Sequence, residues 1–124
     1  MKSPPLPLFD APNLMAQLVG MSDDELDALP YGVIEMDQRY TVLRYSATES
    51  RNSHLPADRV IGRHFFRDVA YCADNRHVAH RYEEGTLDAT IPYVFAFRMK
   101  LEPVTLRMLR GVGQEKMYLL IRRP

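Results

Sequence analysis

The sequence predicts an α+β fold, namely a five-stranded antiparallel sheet with helices on one face and an N-terminal helical cap on the other. Two β-rich runs open the main part of the chain, a block of short helical signals follows, and three β-rich runs close it. The last run, residues 117–121, is apolar on both faces, so we expect a central strand that is covered from both sides. At 124 residues, of which 46% are hydrophobic, the chain has the length of one domain.

The chain begins with a segment that lacks the periodicity of a helix or a strand. Residues 1–12 contain four prolines, which predicts an irregular arm. Asn13 then stands where the cap of a short helix, Leu14–Val19, is expected, and Gly20 ends that helix. We therefore expect an arm followed by one short helix.

A capping box predicts a second short helix. Ser22 and Glu25 have the spacing in which each side chain caps the backbone N–H of the other residue, and the helix is expected to continue to Leu29. No internal repeat or low-complexity segment follows. Residues 1–30 are thus predicted to form the arm and helical cap, and residues 31–124 the core domain.

Charge is balanced over the whole chain but not along it. Sixteen basic and sixteen acidic side chains give no reason to expect a nucleic-acid partner. Residues 1–30 carry five acidic side chains and one basic, whereas residues 93–124 carry two acidic and seven basic. We therefore expect the acidic cap to dock on a basic face of the C-terminal strands.

The composition also bears on where the protein acts. The longest apolar runs are only a few residues, far short of the roughly 20 that cross a bilayer, and the N-terminus does not resemble a signal peptide. A single cysteine, Cys72, excludes an internal disulfide and a cysteine-based metal knuckle. We expect a cytoplasmic protein without a membrane partner, present as a monomer or a weak dimer.

The core is predicted to begin with a hairpin and to continue with broken helices. Residues 31–36 and 40–45 are β-rich runs separated by three turn-forming residues. A longer helix is expected from about residue 74 or 75 to residue 84, where Gly85 stops it. Between the hairpin and that helix, short helical turns are expected near residues 46–50, 56–61 and 65–69.

Three strands are predicted after this helical block. In the first, residues 93–101, alternate positions share a face. The other two, residues 104–109 and 117–122, are joined around residues 111–113. The face of the first strand that we expect to point inward holds Tyr93, Phe95, Phe97, Met99 and Leu101, and its other face holds Val94, Ala96, Arg98 and Lys100.

Cys72 is the first candidate for chemistry. A buried cysteine is more often an apolar filler than a nucleophile. If it lies just before a helix that begins near residue 74, the helix dipole and Arg67 or Arg76 would lower the pKa of its thiol, which would make the sulfur easier to acylate or oxidise. The residues alone leave both interpretations open.

Tyr45 and Glu49 are four residues apart, across a strand end and a helical turn, so they could converge on one pocket. A solvated pair or a helix cap is the alternative. His77 and His80 have the spacing of two metal ligands, but no third ligand accompanies them, and we expect a solvent-exposed face without a metal. No nucleophile-elbow, phosphate-loop or dinucleotide motif is present, so no enzyme is predicted.

Several segments together resemble the photoactive yellow protein family, the blue-light receptors that are the structural prototype of the PAS domain. The most specific match is residues 60–72, VIGRHFFRDVAYC, which end in the cysteine that carries the chromophore in the family, here Cys72. Residues 43–49, LRYSATE, resemble the segment that binds the phenolic end of the chromophore. Further similarity lies in residues 26–34, 93–99 and 118–123.

The resemblance implies a PAS fold in which residues 31–124 form the PAS core. It also implies a cofactor, 4-hydroxycinnamic acid (p-coumaric acid), attached as a thioester to Cys72. Ser53 stands for a threonine of the family and Leu55 for its covering arginine, so that the cover of the pocket is either apolar or supplied by Arg51. The chromophore-binding residues carried over from the family are Tyr45, Glu49, Ser53, Leu55 and Phe95.

The implied function is blue-light reception. Light isomerises the chromophore from trans to cis, Glu49 passes its proton to the phenolate, and the buried charge left behind loosens the structure where the cap docks. The implied partners are the small-molecule chromophore and an unidentified downstream signalling protein. Two alternatives stay open: a non-photoactive PAS module for ligand binding or dimerisation, and a thiol redox sensor with an exposed Cys72 of low pKa.

Overall fold

The strand predicted to be central lies in the middle of a five-stranded antiparallel sheet. The computed structural model describes residues 5–97, 99–111, 113 and 115–124. The strands are β1 (Gly32–Met36), β2 (Val42–Tyr45), β3 (Leu87–Phe97), β4 (Lys100–Arg110) and β5 (Met117–Arg122). Their order in the sheet is β2-β1-β5-β4-β3, and each neighbouring pair is antiparallel. The predicted fold class and the predicted first hairpin are therefore confirmed.

Helical segments lie before β1 and between β2 and β3, and most are short. The turns predicted near residues 56–61 and 65–69 are present. Within the described part of the chain, no helix is long and apolar enough to cross a membrane; the cytoplasmic location stays a prediction. The α-helices are α1 (Leu14–Val19), α2 (Asp23–Asp27) and α3 (Ala47–Ser53), the 3₁₀ turns are Ala57–Arg59, Tyr71–Ala73 and Ala79–Glu84, and a π turn covers Phe65–Val69.

Of the two predicted helix caps, one is present. Ser22 Oγ accepts from the backbone N–H of Glu25 at 3.2 Å, and Glu25 Oε1 accepts from that of Ser22 at 3.0 Å, so the capping box of α2 is confirmed. The helix itself ends at Asp27, before the predicted Leu29. The side chain of Asn13 makes no capping hydrogen bond, because its backbone is left-handed (φ 56°), whereas capping side chains reach the helix from an extended backbone.

The prediction of a long helix from residue 74 or 75 to residue 84 is wrong. Only its second half is helical, as the 3₁₀ turn Ala79–Glu84. The reason is Asn75, whose Oδ1 accepts from the backbone N–H groups of His77 and Val78 at 2.9 and 3.2 Å. A side chain that bonds the nearby backbone in this way competes with helical hydrogen bonds. Both histidines of the segment are exposed, as predicted.

The strand predicted over residues 93–101 is wrong in its bounds, because β3 and β4 form a long hairpin that turns inside this range. Met99 lies in the turn with a left-handed backbone (φ 63°), which a strand does not allow, and its side chain is fully exposed. Leu101 belongs to β4 and is also exposed. The predicted inward face therefore does not include Met99 or Leu101, and the side chain of Phe97 lies outside the described part of the chain. Arg98, and Val112 of the predicted second connection, lie outside the described residues.

The two faces of the sheet bury separate hydrophobic clusters, and β5 contributes to both. Its side chains alternate between the faces, as those of any strand do. Every residue of β5 except the last is buried, so the prediction of a strand covered from both sides is confirmed. Met117, Leu119 and Ile121 pack on the helix side, and Tyr118 and Leu120 pack against the N-terminal segment.

An arginine of the sheet fastens the N-terminal cap, which in the described part of the chain is residues 5–30. The Nη1 atom of the buried Arg107 in β4 donates to the carbonyl groups of Phe9 and Ala11 at 2.8 and 2.9 Å. Its other nitrogens pair with Asp88 of β3 at 2.9 Å. The cap thus docks on a basic strand residue, as predicted, but Arg107 holds backbone carbonyls of the cap instead of its carboxylates.

Arg44 of β2 makes a second attachment to the cap. Its Nη1 donates to the carbonyl of Met21 at 2.8 Å, and its Nη2 donates to the carbonyl of Leu18 at 3.2 Å and to Glu35 Oε2 at 2.5 Å. Glu35 is buried in β1 and also accepts from the Tyr118 hydroxyl at 2.7 Å. A buried carboxylate needs such donors. The same arginine therefore compensates a buried acid and holds the cap.

Leu119→Ala is expected to destabilise the fold strongly. Leu119 is fully buried on the helix side of β5, and its truncation leaves a cavity in the close-packed centre. We expect the free energy of unfolding, measured by urea denaturation, to fall by about 2–5 kcal/mol. Leu101→Ala is the matched control, since Leu101 is 71% exposed and its truncation should cost less than about 0.5 kcal/mol. Similar losses in both variants would contradict the central position of β5.

Arg107→Gln is expected to loosen the cap while the core stays folded. Two cap carbonyls lose a charged donor, and hydrogen bonds to charged groups are worth about 1.5–3 kcal/mol each. Limited digestion with chymotrypsin should therefore cut near Phe9 at least about tenfold faster than in the unchanged protein. Arg67→Gln is the control, because the Arg67 side chain is 72% exposed. If both variants were cut at the original rate, Arg107 would have no part in holding the cap.

Candidate functional site

A cavity of about 430 Å³ lies on the helix side of the sheet, walled by α3, the π turn, and strands β2 to β5. Sites for small molecules have volumes of about 300–1,000 Å³. The structure brings five of the six predicted site residues together in its lining, and the sixth, the cysteine, lies next to it. The five are Tyr45, Glu49, Ser53, Leu55 and Phe95.

Glu49 is positioned by the first turn of α3. Ser46 Oγ accepts from the backbone N–H groups of Glu49 at 3.3 Å and Val33 at 3.0 Å, which ties the start of the helix to β1. Gly32 of β1 lies against the carboxyl group, and a Cβ atom there would be 2.1 Å from Glu49 Oε1. Only glycine leaves room for this approach. The side chain of Glu49 is consequently buried, at 3% exposure.

The partner of the Glu49 carboxylate is Arg123, the residue after β5. Arg123 Nη1 lies 2.7 Å from Glu49 Oε1, Nη2 lies 3.1 Å from Oε2, and Nε lies 3.0 Å from Oε1 of Glu102. Burial raises the pKa of Glu49 above its ordinary value, Arg123 opposes this rise, and the charge of Glu102 adds to it. Glu49 is therefore an acid whose protonation depends on how its neighbours are arranged.

Tyr45 ends β2 and is buried beside this acid. Its hydroxyl lies 2.8 Å from Ser53 Oγ. Burial, and secondarily the charge of Glu49, raise the pKa of Tyr45, so its phenol keeps a proton at neutral pH. The predicted convergence of Tyr45 and Glu49 on one pocket is confirmed, while their role toward a chromophore stays a prediction.

Of the two predicted candidates for the cover of the cavity, Leu55 lies in the lining and Arg51 does not. Leu55 is half-buried and lines the cavity, as does Phe95. Arg51, the other candidate for the cover, is exposed, donates to Thr48 Oγ1 at 3.3 Å and does not line the cavity. The guanidinium in the cavity wall belongs instead to Arg123, from the far end of the chain.

Cys72 lies beside the cavity, directly after two residues of its wall, Ala70 and Tyr71. Its carbonyl accepts from the Tyr93 hydroxyl at 2.7 Å. Partial burial raises the pKa of the Cys72 thiol, and a backbone hydrogen bond from Ala96 offsets this only in part. The predicted lowering of this pKa by a helix dipole is wrong, because among the described residues that follow the cysteine no α-helix begins.

Arg123 and Glu102, which form ion pairs in the cavity wall, are not among the predicted site residues. The alternation along β5 could have indicated Arg123, since the odd-numbered residues of this strand face the helices. By the same rule Arg122 faces the cap, where it lies 3.2 Å from Asp10 and its guanidinium stands 4.5 Å above the ring of Phe9. The sequence pattern does not indicate that Glu102 reaches the cavity, because the position of Glu102 in the sheet depends on where the β3–β4 hairpin turns.

Glu49→Gln is expected to change how stability depends on pH. Because burial raises the pKa of Glu49 in the folded state, the folded protein binds this proton more tightly than the unfolded chain does. The unchanged protein therefore loses this stability as the pH rises from the ordinary value of 4.5 through the raised pKa. Glutamine cannot ionise, so the melting temperature of the variant minus that of the unchanged protein should increase over this range.

The measurement is a series of thermal denaturations at pH values that rise stepwise from the ordinary value of 4.5. Glu83→Gln, an exposed position, is the control for the loss of one negative charge. A melting-temperature difference for Glu49→Gln that shrinks as the pH rises would contradict a raised pKa.

Comparison with known proteins identifies close relatives by sequence. No family model matches the chain. Photoactive yellow protein from Rhodothalassium salexigens is 32% identical over 118 residues, which are 92% of this chain and 92% of that protein. Photoactive yellow protein from Halochromatium salexigens is 29% identical over 119 residues, which are 93% of this chain and 95% of that protein.

Solved structures agree with these relatives. The photoactive yellow protein domain of the sensor histidine kinase Ppr from Rhodospirillum centenum is 37% identical, with a TM-score of 0.80 over 87% of this chain and 98% of that one. The PAS domain of an HTR-like protein from Haloarcula marismortui shares the fold alone, with a TM-score of 0.65 at 12% identity. The predicted PAS fold is therefore confirmed. By its identity over nearly the full length of these relatives, the chain belongs to the photoactive yellow protein family.

Proposed function

We propose that the chain is a blue-light receptor that carries 4-hydroxycinnamic acid (p-coumaric acid) as a thioester on Cys72. The observation that carries this proposal is the cavity in which a buried acid, Glu49, lies with the paired hydroxyl groups of Tyr45 and Ser53. Membership of the photoactive yellow protein family supports it.

The residues around the cavity fit this chromophore. A phenolate held away from water needs strong donors, and both Tyr45 and a protonated Glu49 can donate. The apolar part of the wall, which includes Leu55 and Phe95, suits an aromatic ring. Cys72 supplies the sulfur for a thioester and directly follows two residues of the wall. Donors, an apolar wall and a nucleophile thus serve one cavity.

Attachment needs the Cys72 thiol and an activated ester of the acid. The sulfur attacks the carbonyl carbon, the bond to the leaving group breaks as the thioester forms, and the thiol proton leaves with that group. Burial raises the pKa of the thiol, so its thiolate is scarce at neutral pH and the ester must be well activated. The same shift argues against the redox-sensor alternative, which needs an exposed thiol of low pKa.

The chain's own contribution to signalling is a proton at Glu49. When bound, 4-hydroxycinnamic acid supplies visible absorption and a double bond that light isomerises from trans to cis. Glu49 then gives up its proton toward the phenolate and is left as a carboxylate in a buried site. A buried carboxylate that lacks a charged partner such as Arg123 costs several kcal/mol, against a total stability of about 5–15 kcal/mol for a domain. Local loosening of the structure is the expected response.

The cap is where this loosening is expected. α3, which carries Glu49, is bonded to the cap at two points: Thr48 Oγ1 donates to the carbonyl of Leu29 at 2.5 Å, and the backbone N–H of Ala47 donates to Asp27 Oδ1 at 2.8 Å. A shift of α3 therefore reaches the cap directly. The surface exposed when the cap loosens is what a downstream signalling protein would bind.

Incubation of the protein with an activated ester of 4-hydroxycinnamic acid is expected to give one adduct per chain. The intact mass should rise by one acyl group, and a visible band should appear that bleaches in blue light. Cys72→Ala should give neither, because the sulfur is gone. Glu49→Gln should form the adduct with a shifted band, since the phenolate loses its acidic partner, and Glu83→Gln should leave the band in place.

Each failure has a distinct meaning. No adduct on folded, unchanged protein would contradict the proposal and favour the non-photoactive PAS module. An adduct without bleaching would contradict light reception and leave the attachment site standing. An adduct that forms equally on Cys72→Ala would place the acylation on another residue.

A further inference from the structure

Arg123 joins two walls of the cavity. Its two Nη atoms contact both carboxylate oxygens of Glu49 in α3, at 2.7 and 3.1 Å, and its Nε contacts Glu102 in β4 at 3.0 Å. The Arg123 side chain is 15% exposed, so these contacts are largely shielded from water. One guanidinium thus links the helix to the hairpin through two acids.

This arrangement conflicts with the proton donation proposed for Glu49. A carboxylate that accepts two hydrogen bonds from a guanidinium is ionised and has no proton to give. Glu49 can hold a proton only if Arg123 is free to leave it. Glu102 makes this possible, because Arg123 already contacts Glu102 through a different nitrogen and keeps a negative partner there.

The local charges favour such an exchange. With both acids ionised, Glu49, Glu102 and Arg123 carry two negative charges and one positive, hence one net negative charge in a mostly buried site. A proton on Glu49 leaves the neutral pair of Arg123 and Glu102. The other titratable groups that line the cavity are Tyr45 from β2, Tyr71 beside Cys72, Lys100 from β4 and His54 at the end of α3.

We infer that Arg123 is a positioning residue of the cavity, which holds Glu49 as a carboxylate while both of its Nη atoms contact that side chain and pairs with Glu102 alone when Glu49 takes up a proton. The inference rests on the proposed function for the reason why Glu49 must become protonated. The exchange also removes the link between α3 and β4. The charge of Glu49 and the contact that joins α3 to β4 in the cavity wall therefore change together.

The test is a titration of the Glu49 carboxyl in protein without chromophore. Carbon-13 NMR of the glutamate side chains, with Glu49→Gln as the assignment control, gives the midpoint. Arg123→Gln should raise the midpoint by about one pH unit or more, because an opposite charge in direct contact is lost. Glu102→Gln should lower it, because Arg123 then has Glu49 as its remaining acidic partner. Arg122→Gln, the adjacent arginine on the opposite face of the sheet, should leave it unchanged.

An unmoved midpoint in Arg123→Gln, or a raised one in Glu102→Gln, would overturn the inference. Arg123→Lys serves as a second variant if Arg123→Gln does not fold. It keeps the charge but loses the fork that reaches two acids, so its midpoint should rise by less. Because the titration needs no chromophore, a failure of Cys72 to form an adduct would end the proposed function and leave this result standing.

Discussion

Both layers of the molecule depend on β5, a strand that is buried on its two faces. Because its side chains alternate, it supplies apolar groups to the helix side and to the cap in turn. The same alternation continues past its last apolar residue. Arg122 therefore meets Asp10 of the cap, and Arg123 meets Glu49 of the cavity. Cap and cavity are thus attached to adjacent residues at one end of one strand.

In the described part of the chain each side of the sheet also buries one acid, and the two acids are held differently. Glu35, on the cap side, accepts from the guanidinium of Arg44 and the hydroxyl of Tyr118, which come from the two strands that flank β1. Glu49, on the cavity side, depends on a guanidinium that it shares with a second acid. A buried charge is stable only while its partners stay in place. Glu49 is therefore the acid whose charge can change without dismantling the sheet.

What the sequence predicts depends on the range of the interaction that decides each element. The capping box of α2, the first hairpin and the doubly buried β5 depend on near neighbours or on apolar pattern, and all three are predicted correctly. The predicted long helix does not form, because the Asn75 side chain accepts from backbone N–H groups that follow it and so competes with helical hydrogen bonds. Cys72, Tyr45 and Glu49 are candidates from the residues themselves, whereas Ser53, Leu55 and Phe95 come from the family resemblance. The sequence does not predict the role of Arg123, because its partner Glu49 is 74 residues away in the chain. It does not predict the raised pKa of the Cys72 thiol either, because burial in the folded protein causes that shift.

Two short connections lead from the Glu49 carboxyl to the cap on the opposite face of the sheet. One passes through α3, where the adjacent Thr48 donates to a cap carbonyl, and the other through the neighbouring arginines that follow one another at the end of β5. Gly32 lies against the carboxyl group on the β1 side, where a larger residue would leave no room. The neighbours on which a change of charge at Glu49 acts directly are α3, which carries it, and Arg123, which pairs with it. Since α3 is bonded to the cap and Arg123 adjoins the arginine that pairs with it, the cap is the part of the fold that a displacement of either disturbs first.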